Sequence, residues 1–183
     1  MHLLAGPFAA FALLLAVAGV AKAIRPLPTV RALRSASLPA RWSSAAVVRF
    51  LGAAEAVLAV AALVVAGPVP AALVALSYIA FAAFVGYARA RGGSISSCGC
   101  FGKPDTPPTA AHLAVNGVAA LTAAAAALSP ARSPLGELAR SPGAGVPLAA
   151  LTLVTAALAY LALAEWPQLV AVIREAPPEG ARA

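Results

Sequence analysis

Charge is scarce in this chain. Asp, Glu, Lys and Arg together make up 10% of its 183 residues, and only six of those residues are acidic. A soluble domain carries about a quarter charged residues, so this one lacks the polar surface that would hold it in water. Aromatic residues are also sparse, at 6%. The net charge of +7 and pI of about 10.5 would otherwise suggest nucleic acid. Without a basic surface interleaved with aromatics, that reading is excluded. Cysteine is nearly absent, with two residues, which rules out a disulfide-rich scaffold.

What is present is apolar. Hydrophobic residues make up 62% of the chain, and the mean hydropathy is +0.90. A chain of this size cannot bury so much apolar surface in its own core, so it needs lipid as solvent. The sequence predicts an all-α fold, a polytopic transmembrane helical bundle with a four-helix core and a fifth transmembrane helix. The blocks run over about 3–24, 45–66, 69–88, 111–128 and 146–164. Irregular backbone is not tolerated against lipid, so each block reads as a helix. Residues 1–128 form the four-helix domain, 129–145 a flexible loop, and 165–183 a polar tail. Ala21-Lys22-Ala23 has the small-x-small look of a signal cleavage site. The block before it carries no leading Lys or Arg, however, and reads as a retained span. Pro26 and Pro28 end the first block, and 25–44 reads as a polar, basic connection.

Basic residues set the expected orientation. Lys22, Arg25, Arg31, Arg34, Arg41, Arg49, Arg89, Arg91, Lys103, Arg174 and Arg182 fall on one side of a five-span chain, and Arg132 and Arg140 on the other. The positive-inside rule puts the first side in the cytoplasm and the N-terminus outside. The expected location is therefore the cell membrane, with the lipid bilayer as the first partner and anionic headgroups near the basic loops.

Ionisable groups within spans are costly and default to functional candidates. Glu55 lies well inside the second block, at roughly 12 Å of depth. Lys22 ends the first block, and His112 and Asn116 begin the fourth. Counting crossings puts Lys22, Glu55, Arg89, Cys98, Cys100, His112 and Asn116 on one membrane side, whichever side that is. A buried carboxylate needs a proton or a partner, and Lys22 on the adjacent antiparallel helix is the expected one. The plainer roles are interfacial snorkelling for Lys22, capping for His112 and helix–helix contact for Asn116.

The two thiols form Cys98-Gly-Cys100, in a loop between spans. Such a pair can close a small, strained ring, and strain makes a disulfide easily reduced. Arg89, Arg91 and Lys103 stand near it in sequence and would favour a thiolate. Redox chemistry is the first reading. Metal binding by Cys98, Cys100 and His112 is the second, suited to Zn or Cu(I). No further cysteine exists to close a zinc site, and the other histidine, His2, lies near the opposite face.

Five segments carry a resemblance. They are Ala18-Gly19-Val20-Ala21-Lys22, Gly52-Ala53-Ala54-Glu55, Ala88-Arg89-Ala90-Arg91-Gly92, Cys98-Gly-Cys-Phe-Gly102, and Asn116. Through them the chain resembles the methylamine utilisation protein MauE family, within the DoxX-like group of small membrane proteins, over about residues 3–128. The resemblance implies a four-helix core and a redox-associated role. It further implies an accessory in maturation of a disulfide-rich dehydrogenase subunit, beside a thioredoxin-like partner. The fifth apolar block departs from that pattern, and the chain has no thioredoxin-like domain of its own. Such a role suits cysteines facing an oxidising compartment, whereas the charge rule turns them to the cytoplasm.

The expectation is thus a membrane thiol–disulfide component. Cys98 and Cys100 form its redox pair, and Glu55, Lys22 and His112 support it. No cofactor is evident. Two rival readings stay open, and with them whether the chain is an enzyme at all. One is a non-catalytic docking subunit with structural cysteines. The other is a small quinone-binding or transport protein that uses Glu55.

Overall fold

The computed structural model describes residues 4–91, 109–129, 133–136 and 142–164. Among them the regular structure is helical: α1 (Ala5–Ile24), α2 (Leu27–Ser35), α3 (Ala45–Val64), α4 (Pro68–Ala90), α5 (Ala110–Leu128) and α6 (Pro142–Ala164). Of these, α1, α3, α4 and α5 are long and apolar enough to cross a membrane. The protein is an all-α polytopic membrane bundle. In α6 the apolar stretch runs over Gly145–Leu161, and the helix starts at Pro142 rather than near 146, taking in the end of the expected flexible loop.

The bundle is built around α1. Over its apolar window 56% of α1 is buried, against 28% for each of α3, α4 and α5. It packs most extensively on α3, while α4 pairs with α5 and α6 lies against α1. Phe8, Phe11, Leu14 and Leu15 of α1 meet Ala59 and Ala62 of α3, Val74, Ala75 and Tyr78 of α4, and Ala119 and Ala123 of α5. Small residues on the partner helices let them come close, the usual means of packing where lipid supplies no hydrophobic drive. The opposite faces carry exposed Val57, Leu73, Ile79, Leu121 and Leu158. In water these would form an aggregating surface; in a bilayer they are solvated.

Local chemistry sets the helix ends. Ser44 caps α3, its hydroxyl accepting from the Val47 N–H at 3.3 Å. The turn into α4 passes through Gly67 at φ +149, a backbone state that side chains rarely adopt, followed by Pro68 at the helix start. Across the 25–44 connection, Pro26 and Pro28 do stop α1. They also start the nine-residue α2, because proline is well suited to a first turn. That helix corrects the expectation of a plain polar connection. It ends with Leu38 N–H bonded to Leu33 O at 3.1 Å and Ser37 N–H to Arg34 O at 2.9 Å. Ser37 at φ 59 supplies the left-handed residue that such a C-terminal motif requires. Pro28, Val30 and Ala32 form the buried face of α2. Just beyond it, Ala36 packs on Phe84 and Ala88 of α4 and accepts from the Tyr87 hydroxyl at 3.3 Å.

Candidate functional site in the bundle interior

The site begins with two glycines. A Cβ placed on Gly19 would stand 2.6 Å from Gly52 O and 2.7 Å from Ala56 N. One placed on Gly52 would stand 2.6 Å from Gly19 O and 2.8 Å from Ala23 N. Any side chain at either position would drive the backbones apart, so only glycine permits this crossing. The pairing of Gly19 with Ala56 and of Ala23 with Gly52 also shows that α1 and α3 run antiparallel. One turn beyond each glycine sits an ionisable residue. Lys22 Cβ lies over Gly52, and Glu55 Cβ over Gly19.

Lys22 Nζ and Glu55 Oε2 form an ion pair in which both residues are buried, at 4% and 5% exposure. Removing such groups from water costs several kcal/mol per ion, about what mutual attraction at contact can return. Beyond that ammonium, Oε2 has no hydrogen-bond partner among the described residues. The helix begins at Ala45, where the sequence block also begins, and the ten residues from there put Glu55 about 15 Å along it rather than roughly 12 Å. The chain therefore sets its most costly carboxylate beside the one cation that α1 contributes.

Helix α4 closes the site. Lys22 Nζ lies 4.3 Å from the centroid of the Phe81 ring, a cation–π contact. Phe81 meets Tyr78 edge to face at 5.8 Å, and Tyr78 meets Phe11 in the same way at 6.0 Å. The Tyr78 hydroxyl donates to Phe11 O at 2.6 Å. A line of contacts thus runs from the ion pair through two aromatic rings to the middle of α1.

A second polar group stands at the start of α5. Thr109 and His112 form a capping box in which the ring takes the place usually held by Glu or Gln. His112 Nδ1 accepts from the Thr109 N–H at 3.3 Å and lies 2.8 Å from the Thr109 hydroxyl. With Nδ1 an acceptor, the neutral ring carries its proton on Nε2. His112 is 1% exposed, and its carbonyl accepts from Asn116 Nδ2 at 2.7 Å. The bland capping role expected for His112 is therefore present, whatever else the ring does.

The family model described as methylamine utilisation protein MauE matches residues 1–130. The chain belongs to this family. Searches of curated proteins and of solved structures gave no match. The MauE match spans α1 through α5, so it covers both polar groups and the loop between α4 and α5. It stops short of α6.

In this MauE chain the structure joins Lys22 to Glu55 and seats His112 and Asn116 together on α5. Cys98, Cys100 and Lys103 lie outside the described residues, as does His2. Among the described residues no group of His, Cys, Asp and Glu is placed to hold a metal, although the Cys98–Cys100–His112 set cannot be assembled from those residues alone. The loop's two ends are fixed by Arg91 and Thr109. Arg91 Nη2 donates to the Tyr87 hydroxyl at 2.6 Å, and its guanidinium lies 5.0 Å from the Tyr87 ring centroid.

Sequence reasoning did not single out Tyr78 or Phe81. The available signal was a phenol inside an apolar block with a second aromatic three residues on, which puts both on one helix face. It did quote Gly19 and Gly52, but not as a contact. Their matched spacing to Lys22 and Glu55, three residues in each case, was the sign that the four form one crossing.

Proposed function

We propose that this MauE-family chain is a membrane thiol–disulfide component, with Cys98 and Cys100 as its redox pair. The observation that carries the reading is their position. They are the chain's only thiols, they flank a single glycine, and they lie inside the matched region on a loop anchored at Arg91 and Thr109. In the oxidising direction each thiol loses a proton and the two sulfurs join. The two electrons pass to a disulfide on a thioredoxin-like partner, which takes up two protons and becomes a dithiol. The reverse exchange reduces Cys98–Cys100 at the partner's expense.

Lys22 and Glu55 act on this chemistry as positioning residues. Their pair fixes α1 against α3, and His112 fixes the start of the helix into which the loop runs. The burial of Glu55 against Lys22 favours this holding role over a quinone-binding or transport role for the carboxylate. By charge asymmetry the loop faces the cytoplasm, since all but Arg132 and Arg140 of the 13 basic residues share its side in a five-span chain. The family's name points to methylamine utilisation, and a disulfide-bearing protein of that pathway is the kind of client this reading takes.

Trapping tests the exchange. Cys98→Ser and Cys100→Ser, made singly, leave one sulfur unable to resolve a mixed disulfide. Each single variant should lose pathway activity, and one of them should accumulate a heavier, reductant-sensitive band. The double variant should show no such band. Full pathway activity in the double variant would leave the cysteines structural and favour a docking subunit.

A further inference from the structure

We propose that α2 is an interfacial helix that binds the phosphodiester headgroups of anionic phospholipids through Arg31 and Arg34. The helix has two faces. Pro28, Val30 and Ala32 are buried against the bundle, while Leu27, Arg31 and Arg34 point away from it. The two arginines are three residues apart, so their guanidinium groups stand on neighbouring turns. Neither has an acidic partner among the described residues, where Glu55 is the only acid and is taken by Lys22.

Large exposed apolar side chains flank the basic residues in sequence. Ile24 and Leu27 before them are 68% and 63% exposed, and Trp42 after them is 57% exposed. Exposed cations set between apolar anchors are the pattern of a helix lying at the headgroup level, where tryptophan also concentrates. A guanidinium pairs with phosphate through two parallel hydrogen bonds, which a zwitterionic surface does not reward with net attraction. The bundle contacts of Ala36 hold the face in place, so a headgroup meets a prearranged site. This site is independent of the cysteine chemistry and lies on a different segment of the chain.

The test uses the full chain in lipid nanodiscs. The chain has two tryptophans, so Trp166→Phe leaves Trp42, in the connection that follows α2, as the sole reporter. Its fluorescence is followed as brominated phosphatidylglycerol or brominated phosphatidylcholine is raised in mole fraction in matched nanodiscs. The anionic lipid should quench at a lower mole fraction. R31Q with R34Q should raise that mole fraction by about 5-fold for each arginine removed. Lysine at both positions keeps the charge but not the paired hydrogen bonds, so it should restore only part of the preference. Equal quenching by the two lipids, or a preference that survives loss of both arginines, would overturn the proposal. Should the glutamine variant fail to fold, salt decides with the arginines intact. The preference should weaken as NaCl rises, and insensitivity would overturn it. Displacement by inorganic phosphate but not by NaCl at matched ionic strength would replace the lipid with a soluble anion, and overturn it equally.

Discussion

Lys22 and Arg31 stand nine residues apart on the same side of the molecule and meet opposite environments. Lys22 is buried, faces Glu55 and Phe81, and lies where α1 crosses α3 on a pair of glycines. Arg31 is exposed on the outer face of α2 and has no acidic partner among the described residues. A buried cation is tied to the packing of the helices around it, because its desolvation is tolerable only while its partner stays in place. An exposed cation is free to act on what lies outside. The contrast separates residues that hold the bundle from residues that address its surroundings, and substitutions can break it or sharpen it.

The largest effect should follow from Lys22→Met. It leaves the Glu55 carboxylate buried without its cation, at a cost of roughly 3–5 kcal/mol. Loss of folded protein in a detergent thermal melt measures this. Adding Glu55→Leu to the same chain should recover much of the loss, since a well-packed apolar pair avoids the desolvation altogether. A double variant as unstable as Lys22→Met would show that the crossing depends on the charges themselves.

Gly52→Ala comes next. Its Cβ would press within 2.6 Å of Gly19 O, and relief requires α1 and α3 to separate. About 1–3 kcal/mol is expected, read from the same melt. Tyr78→Phe should cost about 1 kcal/mol, since it removes the hydrogen bond to Phe11 O and keeps the ring contacts. At the far end of the scale, Arg31→Gln should change stability by less than about 0.5 kcal/mol, as surface substitutions do. A large drop in melting temperature for Arg31→Gln would erase the distinction drawn between the two cations.

Much of this was legible in the sequence, and for a physical reason. Membrane spans announce themselves by length and hydropathy, so the long apolar blocks marked α1, α3, α4 and α5 closely. The Lys22–Glu55 pair followed from chain direction alone, because a carboxylate that deep requires a partner and antiparallel neighbours bring Lys22 level with it. Helix α2 was missed because its two prolines and several arginines read as a connection. Its amphipathic face has meaning only once the ends of α3 and α4 are in place. The Gly19–Gly52 approach and the Tyr78–Phe81 contacts are tertiary, and a single chain read residue by residue does not show which turns meet. The loop bearing Cys98 and Cys100 was legible as chemistry, through the rarity of the thiols, and its geometry lies outside the described residues.

The redox reading rests on the state of those thiols in the cell. The direct measurement is a maleimide gel-shift on intact cells, with and without prior reduction, comparing membrane-permeant and impermeant reagents. The account predicts that Cys98 and Cys100 label only after reduction, and only with the permeant reagent. Full labelling by the permeant reagent without reduction, unchanged when the pathway is active, would contradict a Cys98–Cys100 redox cycle. Labelling by the impermeant reagent after reduction would keep the disulfide and contradict the cytoplasmic placement of the loop.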